Sequence, residues 1–428
     1  MEPNTSSDQR PVIQASEILA KIERGEDVEY DGVIIEGDLD ISGMELPIER
    51  VDRIKFDLQL GLSVELKVIS SKVDVINSEI RGKTNFGNAR LLKAISFRGT
   101  RVGGEVIFLG AKFSRDVDFF GAKFSGDVDL WGAEFSGDVD FELAELIGDG
   151  VFSGAKFGQK ASFWQTDFAG DAEFWGSEFT GKTDFRSAEF TKDAVYLGAK
   201  FDDNADFSGA KFIGDVDFRK ANFNKKLNLS RLKFNRLYVN WCLIKDNLVY
   251  DGPTYLALIK NFKVMEQFDD ADNCYYQYRK ESQARKKWYE EKGFNCSKLL
   301  DWIGFVSCGY GVRLGPIFLW VLGSILGFTF LYKLLPESRG GIAESGPSTV
   351  TIEVVNNSTH LLTLSPGDGV ISPSWGDCLY FSFTALTGGT PDGLHPVGLV
   401  KYAVMVESVL GYLFLALFVV VLARKIIR

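Results

Sequence analysis

The stretch Gly126–Ser136 reads GDVDLWGAEFS, and variants of it recur every 11 residues. From residue 86 to residue 223, large apolar residues follow one another at alternating intervals of five and six. Of these 26 positions 21 are Phe, out of 35 Phe in the chain; the others are Leu91, Val102, Leu130, Leu146 and Tyr196. A small residue stands two positions before every second one, from Ala111 to Ala221. Neither a helix nor an alternating strand has this period, so the sequence predicts a solenoid.

The same intervals predict the shape of one coil. Four faces of five, six, five and six residues make a coil of 22 residues, and successive coils stack about 4.8 Å apart, like paired strands. Large and small residues point inward together, Phe stacks on Phe along the interior, and turns rich in Gly, Asp and Lys face water. Because each coil buries its inner face against its neighbours, stability is close to a nearest-neighbour property.

The repeating unit is similar to that of the pentapeptide-repeat family, whose consensus is Ala-Asp/Asn-Leu-x-x, except that every second unit here has six residues. The resemblance implies a right-handed quadrilateral β-helix, which we assign to residues 31–250. A weaker copy at Gly37–Leu46 extends the array towards the N-terminus. We assign residues 1–30 to a tail and a capping helix, with the helix at about Gln14–Arg24.

The recurring Asp residues, such as Asp127, Asp138 and Asp215, have two interpretations. They form turns on a solvated face, which we favour, or they provide an acidic surface that mimics DNA, as in gyrase-binding members of the pentapeptide-repeat family. The net charge of −10 argues against binding of nucleic acid, which usually needs a basic surface. We therefore expect no nucleic-acid partner.

The remaining composition argues against an enzyme. With only two His, at His360 and His395, the chain has little material for acid–base catalysis or a His-rich metal site. Its five Cys are odd in number and lack C-x-x-C spacing, which predicts free thiols. We find no nucleophile–base motif and no phosphate-binding loop, and expect no catalytic site, metal or cofactor. The polar N-terminus lacks the apolar segment of a signal peptide.

Two apolar stretches near the C-terminus, 314–335 and 402–423, carry one charge apiece, Lys333 and Glu407. Each is long enough to cross a bilayer, which takes about 20 apolar residues. Neither stretch has a polar face, so we favour spanning helices over buried core helices. Basic residues precede the first stretch and follow the second, whereas the loop 336–373 has almost none. By the positive-inside rule, we expect a multi-pass protein of the plasma or inner membrane with both termini in the cytoplasm.

A third apolar segment lies between these stretches. Trp375–Leu386 is too short to cross a bilayer, begins after a candidate helix cap at Ser374, and is followed by a Gly-rich loop. The layout indicates a re-entrant helix and loop over 374–396. Irregular backbone at membrane depth is tolerated only where it is buried in protein or lines a water-filled path.

This segment resembles the pore helix of two-transmembrane, potassium-channel-like proteins through Trp375, Leu379–Phe383 and Leu386-Thr387, and the resemblance covers about 310–428. It implies a homotetramer with four pore loops around one axis. The T-V-G-Y-G of that family is absent here, so the likeness does not extend to its potassium filter. Glycines and a proline still impose a specific backbone path. The resemblance places the filter at Thr387, Gly388, Gly389, Thr390, Pro391, Asp392 and Gly393.

Two carboxylates favour a cation as the permeant ion. In such a tetramer, Asp392 forms a ring of four carboxylates at the outer mouth. Glu407 lines or gates the pore, or it lies near the outer interface and pairs with water or a neighbouring subunit, and the sequence leaves both open. Gly411, one turn later, is a hinge or, as Gly in a span more commonly is, a site of close helix packing.

Residues 251–312 lose the 11-residue period and show helical spacing instead, so we expect a connector of two amphipathic helices with a break near Asp269-Asp270. A basic and aromatic run follows, close to the membrane. Its cations Arg285, Lys286 and Lys287 contact anionic lipid headgroups or form a solvated helix face.

We therefore predict a multidomain membrane protein: a β-helix, a helical connector, and an α-helical domain with two spans and a re-entrant pore loop over 313–428. The predicted function is that of an ion channel subunit, with a solenoid that assembles or regulates the pore. The alternative is a membrane-anchored scaffold whose solenoid binds a protein partner. A simple anchor has no need of a short capped helix and Gly-rich loop, which favours the channel.

Overall fold

The computed structural model describes residues 10–53, 58–290, 293–335, 342–344, 374–389, 394–396 and 398–426. The chain forms two compact units, Met1–Tyr275 and Tyr276–Arg428. The first unit is a solenoid with helices at both ends, and the second is mainly helical.

Each full coil of the solenoid contributes one strand to each of four sheets. In spatial order, the strands of the first sheet are Val12–Gln14, Ile34–Glu36, Glu79–Ile80, Arg101–Val102, Lys123–Phe124, Glu145–Leu146, Asp167–Phe168, Glu189–Phe190, Lys211–Phe212 and Lys233–Phe234. Those of the second are Val28–Asp31, Val73–Ile76, Ile95–Ser96, Val117–Asp118, Val139–Asp140, Ala161–Ser162, Thr183–Asp184, Ala205–Asp206 and Leu227–Asn228. Those of the third are Leu39–Asp40, Thr84–Asn85, Val106–Ile107, Val128–Asp129, Gly150–Val151, Ala172–Glu173, Ala194–Val195, Val216–Asp217 and Leu237–Tyr238. Those of the fourth are Ile48–Arg50, Glu65–Ile69, Ala89–Leu91, Lys112–Phe113, Glu134–Phe135, Lys156–Phe157, Glu178–Phe179, Lys200–Phe201 and Asn222–Phe223.

The coils are in register, one full coil apart in sequence. Phe113 pairs with Phe135, and Phe135 with Phe157, in parallel strands. The described solenoid strands are parallel except where Ile48–Arg50 pairs antiparallel with Glu65–Ile69. The β-solenoid and the length of its coil, both predicted from the sequence, are confirmed.

The Phe series forms the core of the solenoid. All 26 positions are at most 3% exposed, and the small residues two positions earlier are buried as well. Within a column, most ring pairs stack nearly parallel; the centroids of Phe163 and Phe185 are 4.6 Å apart at 4°. Between columns, most pairs meet edge to face, as Phe163 and Phe174 do at 88°. These two arrangements are the ones that aromatic quadrupoles favour.

A helix covers the N-terminal end of the array. Helix α1, Ala15–Glu23, buries Ala15, Ile18 and Ile22, close to the position predicted from the sequence. The strand Val12–Gln14 precedes it and already pairs with Ile34–Glu36. The solenoid therefore begins earlier in the chain than the predicted start at residue 31.

Two short helices follow the last coil, α2 at Trp241–Ile244 and α3 at Gly252–Val264. The carboxamide of Asn261 on α3 donates to the carbonyl of Leu237 at 2.8 Å and accepts from its N–H at 3.1 Å. Thr254 donates to the carbonyl of Leu229 at 3.0 Å. Side chains thus take hydrogen bonds that a further coil would otherwise make, and they cover the sheet edge.

Helix α4 spans Phe268–Arg285, and the boundary between the two units falls within it. The break between α3 and α4 lies at Met265–Gln267, where Glu266 has a φ of 58°. It therefore precedes Asp269 and Asp270, which lie in the first turn of α4. Carboxylates there are favoured by the positive end of the helix dipole, which explains why they mark a helix start and not the break itself.

The second unit contains α5 at Cys296–Cys308, α6 at Gly315–Leu334, α7 at Trp375–Leu386 and α8 at Val400–Ile426. Two small antiparallel sheets pair Tyr289–Glu290 with Gly293–Phe294 and Ile342–Glu344 with Leu394–Pro396. Helices α6 and α8 are long and apolar enough to cross a membrane. Only 17% and 11% of their most apolar windows are buried within the chain, so they are not core helices of one chain.

Candidate functional site

The short helix α7 has well-formed ends. At its start, the N–H of Asp377 donates to the Ser374 hydroxyl at 3.2 Å, and the Asp377 carboxylate accepts from the Ser374 N–H at 2.8 Å, which completes a capping box. At its end, Gly388 has a φ of 77°, and the N–H of Gly389 donates to the carbonyl of Thr384 at 2.8 Å. With the bond from Gly388 to Ala385, this is the Schellman pattern. Local sequence therefore fixes a helix of about 18 Å, too short to cross a bilayer.

One face of α7 packs between α6 and α8. Cys378, Phe381 and Ala385 are at most 1% exposed, and the Phe381 ring meets Tyr332 of α6 edge to face, with centroids 5.3 Å apart. The opposite face leaves Tyr380 and Phe383 more than half exposed. One face of α7 is therefore buried against other helices of the chain, and the opposite face exposes large apolar side chains.

Helix α8 receives the end of α7 on a surface made by Glu407, Ser408 and Gly411, which we call the α8 cradle. The Ser408 hydroxyl donates to the carbonyl of Ala385 at 2.9 Å. The absence of a side chain at Gly411 admits the carbonyl of Leu386 against the helix. The cradle thus holds the last turn of α7, where the following loop begins.

Glu407 is the buried acidic residue of this cradle. It is 0% exposed, and each of its carboxylate oxygens accepts one hydrogen bond. The donors are the hydroxyl of Tyr332 on α6, at 2.5 Å, and that of Ser382 on α7. Both donor residues are also at most 1% exposed. One carboxylate therefore links three helices, a contact that sequence spacing did not reveal because its members lie 25 and 75 residues apart.

The predicted filter residues are described only in part. Thr387 is the C-cap of α7, with its hydroxyl within hydrogen-bond distance of the carbonyls of Phe383 and Thr384, and Gly388 and Gly389 form the turn after it. The other four, Thr390, Pro391, Asp392 and Gly393, lie outside the described residues. Of the two other predicted pore residues, Glu407 faces the junction of three helices, and Gly411 lies at a close helix contact.

The three basic residues expected near lipid differ in their surroundings. Lys286 donates to Asp301 at 2.6 Å and to Ser297 at 2.8 Å. Arg285 pairs with Glu281 one turn earlier on α4, at 3.1 Å. Lys287 is exposed and has no ion-pair partner among the described residues. Contact of these three residues with lipid stays a prediction.

Asp301 on α5 is the centre of an ion-pair cluster with one cation from α4 and one from the residue that follows α4. Its side chain is 10% exposed and accepts from Arg279 at 2.5 Å and from Lys286 at 2.6 Å. Burial tends to raise the pKa of Asp301, but the two cationic hydrogen bonds outweigh it and hold the pKa below its ordinary value. The cluster joins the C-terminal half of α4 to the helix that leads into α6.

A family model described as pentapeptide repeats (9 copies) matches residues 76–123, 97–145, 130–178, 174–222 and 185–233. Residues 76–233 are pentapeptide repeats. No curated protein and no solved structure matches the chain. The resemblance of the second unit to potassium-channel-like proteins therefore stays a prediction from its residues.

In the pentapeptide-repeat solenoid, the recurring Asp residues form turns. The carboxylate of Asp127 accepts from the N–H of Asp149 in the next coil at 2.9 Å, and Asp149 does the same for Asp171. Asp129 and Asp140 accept from the N–H two residues later in their own turns. These carboxylates stabilise the corners of the repeat, in agreement with the turn-forming interpretation favoured from the sequence.

Proposed function

We propose that the chain is a subunit of an ion channel that assembles as a homotetramer in the plasma or inner membrane. The observation that carries this proposal is α7, a 12-residue apolar helix capped at both ends and held by the α8 cradle. A helix too short to span, followed by a turn at Gly388, fits a re-entrant segment. An isolated anchor gains nothing from such a segment.

The exposed apolar surfaces support assembly in a lipid bilayer. Most of α6 and α8 and one face of α7 are apolar and uncovered in a single chain. Lipid covers one part of this surface in the proposal, and neighbouring subunits cover the rest around a central pathway. The positive-inside rule places the solenoid and both termini in the cytoplasm, with lipid headgroups near Arg285, Lys286 and Lys287.

The ion pathway of the proposal runs past the loop after α7, Thr387–Gly393, with Asp392 as a ring of carboxylates that favours a cation. The carboxylate of Glu407 is buried within its own chain, so its position gives no support to a second charge ring. The solenoid assembles or regulates the pore. Neither a metal, a cofactor nor a catalytic residue has a place in this function.

The test uses the purified full-length chain. Its particle mass in detergent is expected to be four times that of the chain, and liposomes containing it are expected to pass K⁺ or Na⁺ in preference to Cl⁻. A stable monomer contradicts the channel assembly. A tetramer that passes none of these ions favours the alternative, a membrane-anchored scaffold that binds a protein partner through its solenoid.

The role of Asp392 has its own comparison. Asp392→Asn is expected to lower the preference for cations because it removes the carboxylate ring, whereas Asp368→Asn, in the loop before α7, serves as a matched loss of one carboxylate elsewhere. Equal ion preference in the two variants removes Asp392 from the mechanism.

A further inference from the structure

The three side chains that meet at Glu407 come from three different helices. Tyr332 lies near the end of α6, Ser382 in the middle of α7, and Glu407 in the first third of α8. All three are at most 1% exposed. Removing a carboxylate from water is unfavourable unless hydrogen bonds replace its lost hydration. Each carboxylate oxygen of Glu407 recovers one hydrogen bond from a hydroxyl group.

The contact with Ser382 lies four residues before Leu386, whose carbonyl rests against Gly411. The two contacts are therefore one helical turn apart on both helices. Together they fix the rotation of α7 about its own axis and its depth against α8. The position at which the backbone leaves the helix, at Thr387, follows from both.

We propose that Glu407 is a positioning residue for the pore loop: it locks α7 between α6 and α8 and so sets where the loop after Leu386 begins, without facing the ion. The inference rests on the proposed function only in treating the loop after Leu386 as a pore loop. The locking of α7 stands on the hydrogen bonds and is measurable in a chain that conducts nothing.

Because the Ser382 hydroxyl can be a donor or an acceptor, a Gln substitution at position 407 can separate the effect of the shape of this side chain from that of its charge. Its oxygen lies within hydrogen-bond distance of Glu407 and also 3.1 Å from the carbonyl of Ile325 on α6. One hydroxyl proton serves one acceptor at a time. With Gln at position 407, the amide oxygen accepts from Tyr332 and the amide NH₂ donates to Ser382, whose proton then goes to Ile325. A neutral side chain of the same shape can thus keep all the connections.

The reactivity of the Cys378 thiol can report whether α7 stays packed between α6 and α8. It lies one turn before Ser382 on α7 and is 0% exposed. Of the five Cys, Cys242 and Cys296 are exposed. For the experiment, both are replaced by Ser, and the resulting protein is the parent of all variants. The rate at which maleimide labels the thiol at 378, read by mass spectrometry of the peptide, reports how often α7 separates from its neighbours.

The experiment compares variants of this full-length parent in lipid vesicles. Glu407→Leu is expected to raise the labelling rate of Cys378 at least tenfold, and Glu407→Gln is expected to restore it to near the parent rate. Tyr332→Phe and Ser382→Ala, which each remove one donor, are expected to have intermediate rates. Val409→Ala, on an exposed part of α8, is the control. If Glu407→Leu does not fold, Tyr332→Phe and Ser382→Ala decide.

An unchanged labelling rate in Glu407→Leu, or in both donor variants, overturns the inference. A Gln variant as reactive as the Leu variant also overturns it, because Gln keeps the hydrogen bonds on which the locking of α7 is argued to depend. Ion flux in the same vesicles keeps the two proposals apart. Normal ion flux and unchanged labelling in Glu407→Leu contradict only the positioning role of Glu407. If the parent itself passes no ions, the channel proposal is contradicted, and the labelling rates still test whether Glu407 holds α7.

Discussion

The carbonyl group of Leu386, the last residue of α7, occupies the space that a side chain at position 411 of α8 would need. The carbonyl carbon would lie 2.8 Å from a Cβ on residue 411, and its oxygen would lie closer still. Glycine is therefore required at position 411 by contact with α7, and close packing accounts for it without a hinge. The two helices approach each other backbone to backbone at this point.

Gly411→Ala is consequently expected to push the end of α7 away from α8. Overpacking of this kind costs about 1–3 kcal/mol, so the apparent Tm in detergent should fall. The matched control is Gly327→Ala on α6, where a Cβ would meet nothing within 4 Å. Equal melting temperatures for the two variants would show that α7 is not seated on α8 as described.

Tyr196→Phe is expected to stabilise the solenoid. Tyr196 is 0% exposed and stacks between Phe174 and Phe218 at centroid distances of 4.8 and 4.9 Å. Its hydroxyl is buried and has no hydrogen-bond partner among the described residues. Burial alone raises the pKa of this tyrosine well above its ordinary value. Because an unsatisfied buried hydroxyl costs about 1–3 kcal/mol, its removal should raise the midpoint of chemical unfolding.

The comparison for Tyr196 is Tyr238→Phe. The Tyr238 hydroxyl lies 3.4 Å from the carboxylate of Asp215 and is only partly buried. Its removal should leave the unfolding midpoint nearly unchanged or slightly lower. A destabilised Tyr196→Phe would mean that the hydroxyl has a partner in the folded protein.

Asp301→Ala is expected to destabilise the second unit by about 1–2 kcal/mol, since it leaves two partly buried cations without their carboxylate. Glu281→Ala is the matched change in the more exposed pair that Glu281 forms with Arg285 on α4. Pairs of that kind contribute only about 0.3–0.5 kcal/mol. Hydrogen exchange of α4 and α5 would measure both, and equal protection in the two variants would contradict the central place of Asp301.

The acid stability of the first coils should depend on Asp40. Burial works to raise its pKa, but hydrogen bonds from Ser42, Lys83 and Asn85 outweigh it and lower the pKa to about 2. A lowered pKa in the folded state stabilises the protein fully above the ordinary pKa of an Asp, about 3.9. That contribution is lost as the pH falls from there through about 2.

Asp40→Asn should therefore lower the stability of the solenoid at pH 7 by on the order of 1 kcal/mol and have a much smaller effect near pH 2. Thermal unfolding at the two pH values measures it. Asp246→Asn, at a side chain that is 81% exposed, is the control. A penalty for Asp40→Asn that is the same at both pH values would contradict the assigned hydrogen bonds.

The sequence predicts the solenoid in detail because each coil repeats the same local sequence pattern. Phe at intervals of five and six specifies which side chains point inward, and 26 positions follow one rule. The ends are less predictable. The 11-residue period does not predict that Val12–Gln14 already forms a strand. It also does not predict that the Asn261 side chain takes the place of a strand in hydrogen-bonding to Leu237.

The candidate site depends on contacts between distant parts of the chain, and here the sequence indicates less. Capping residues foretell α7, since Ser374, Asp377 and Gly388 act within a few residues of one another. The partners of Glu407 are set by the packing of three helices, which no spacing rule encodes. The same holds for Lys286, whose sequence context indicates a membrane surface and whose geometry adds an ion pair with Asp301.

Across the array from Lys67 to Phe234, paired strands are offset by one coil of 22 residues, so this part of the solenoid changes length in whole coils. Insertion of one full coil at a corner would add one layer, about 4.8 Å thick, and leave every later side chain on its original side. Insertion of half a coil would instead carry every later residue halfway around the axis and present the opposite side of α3 to its surroundings. Variation in the length of this array should thus occur in multiples of a full coil.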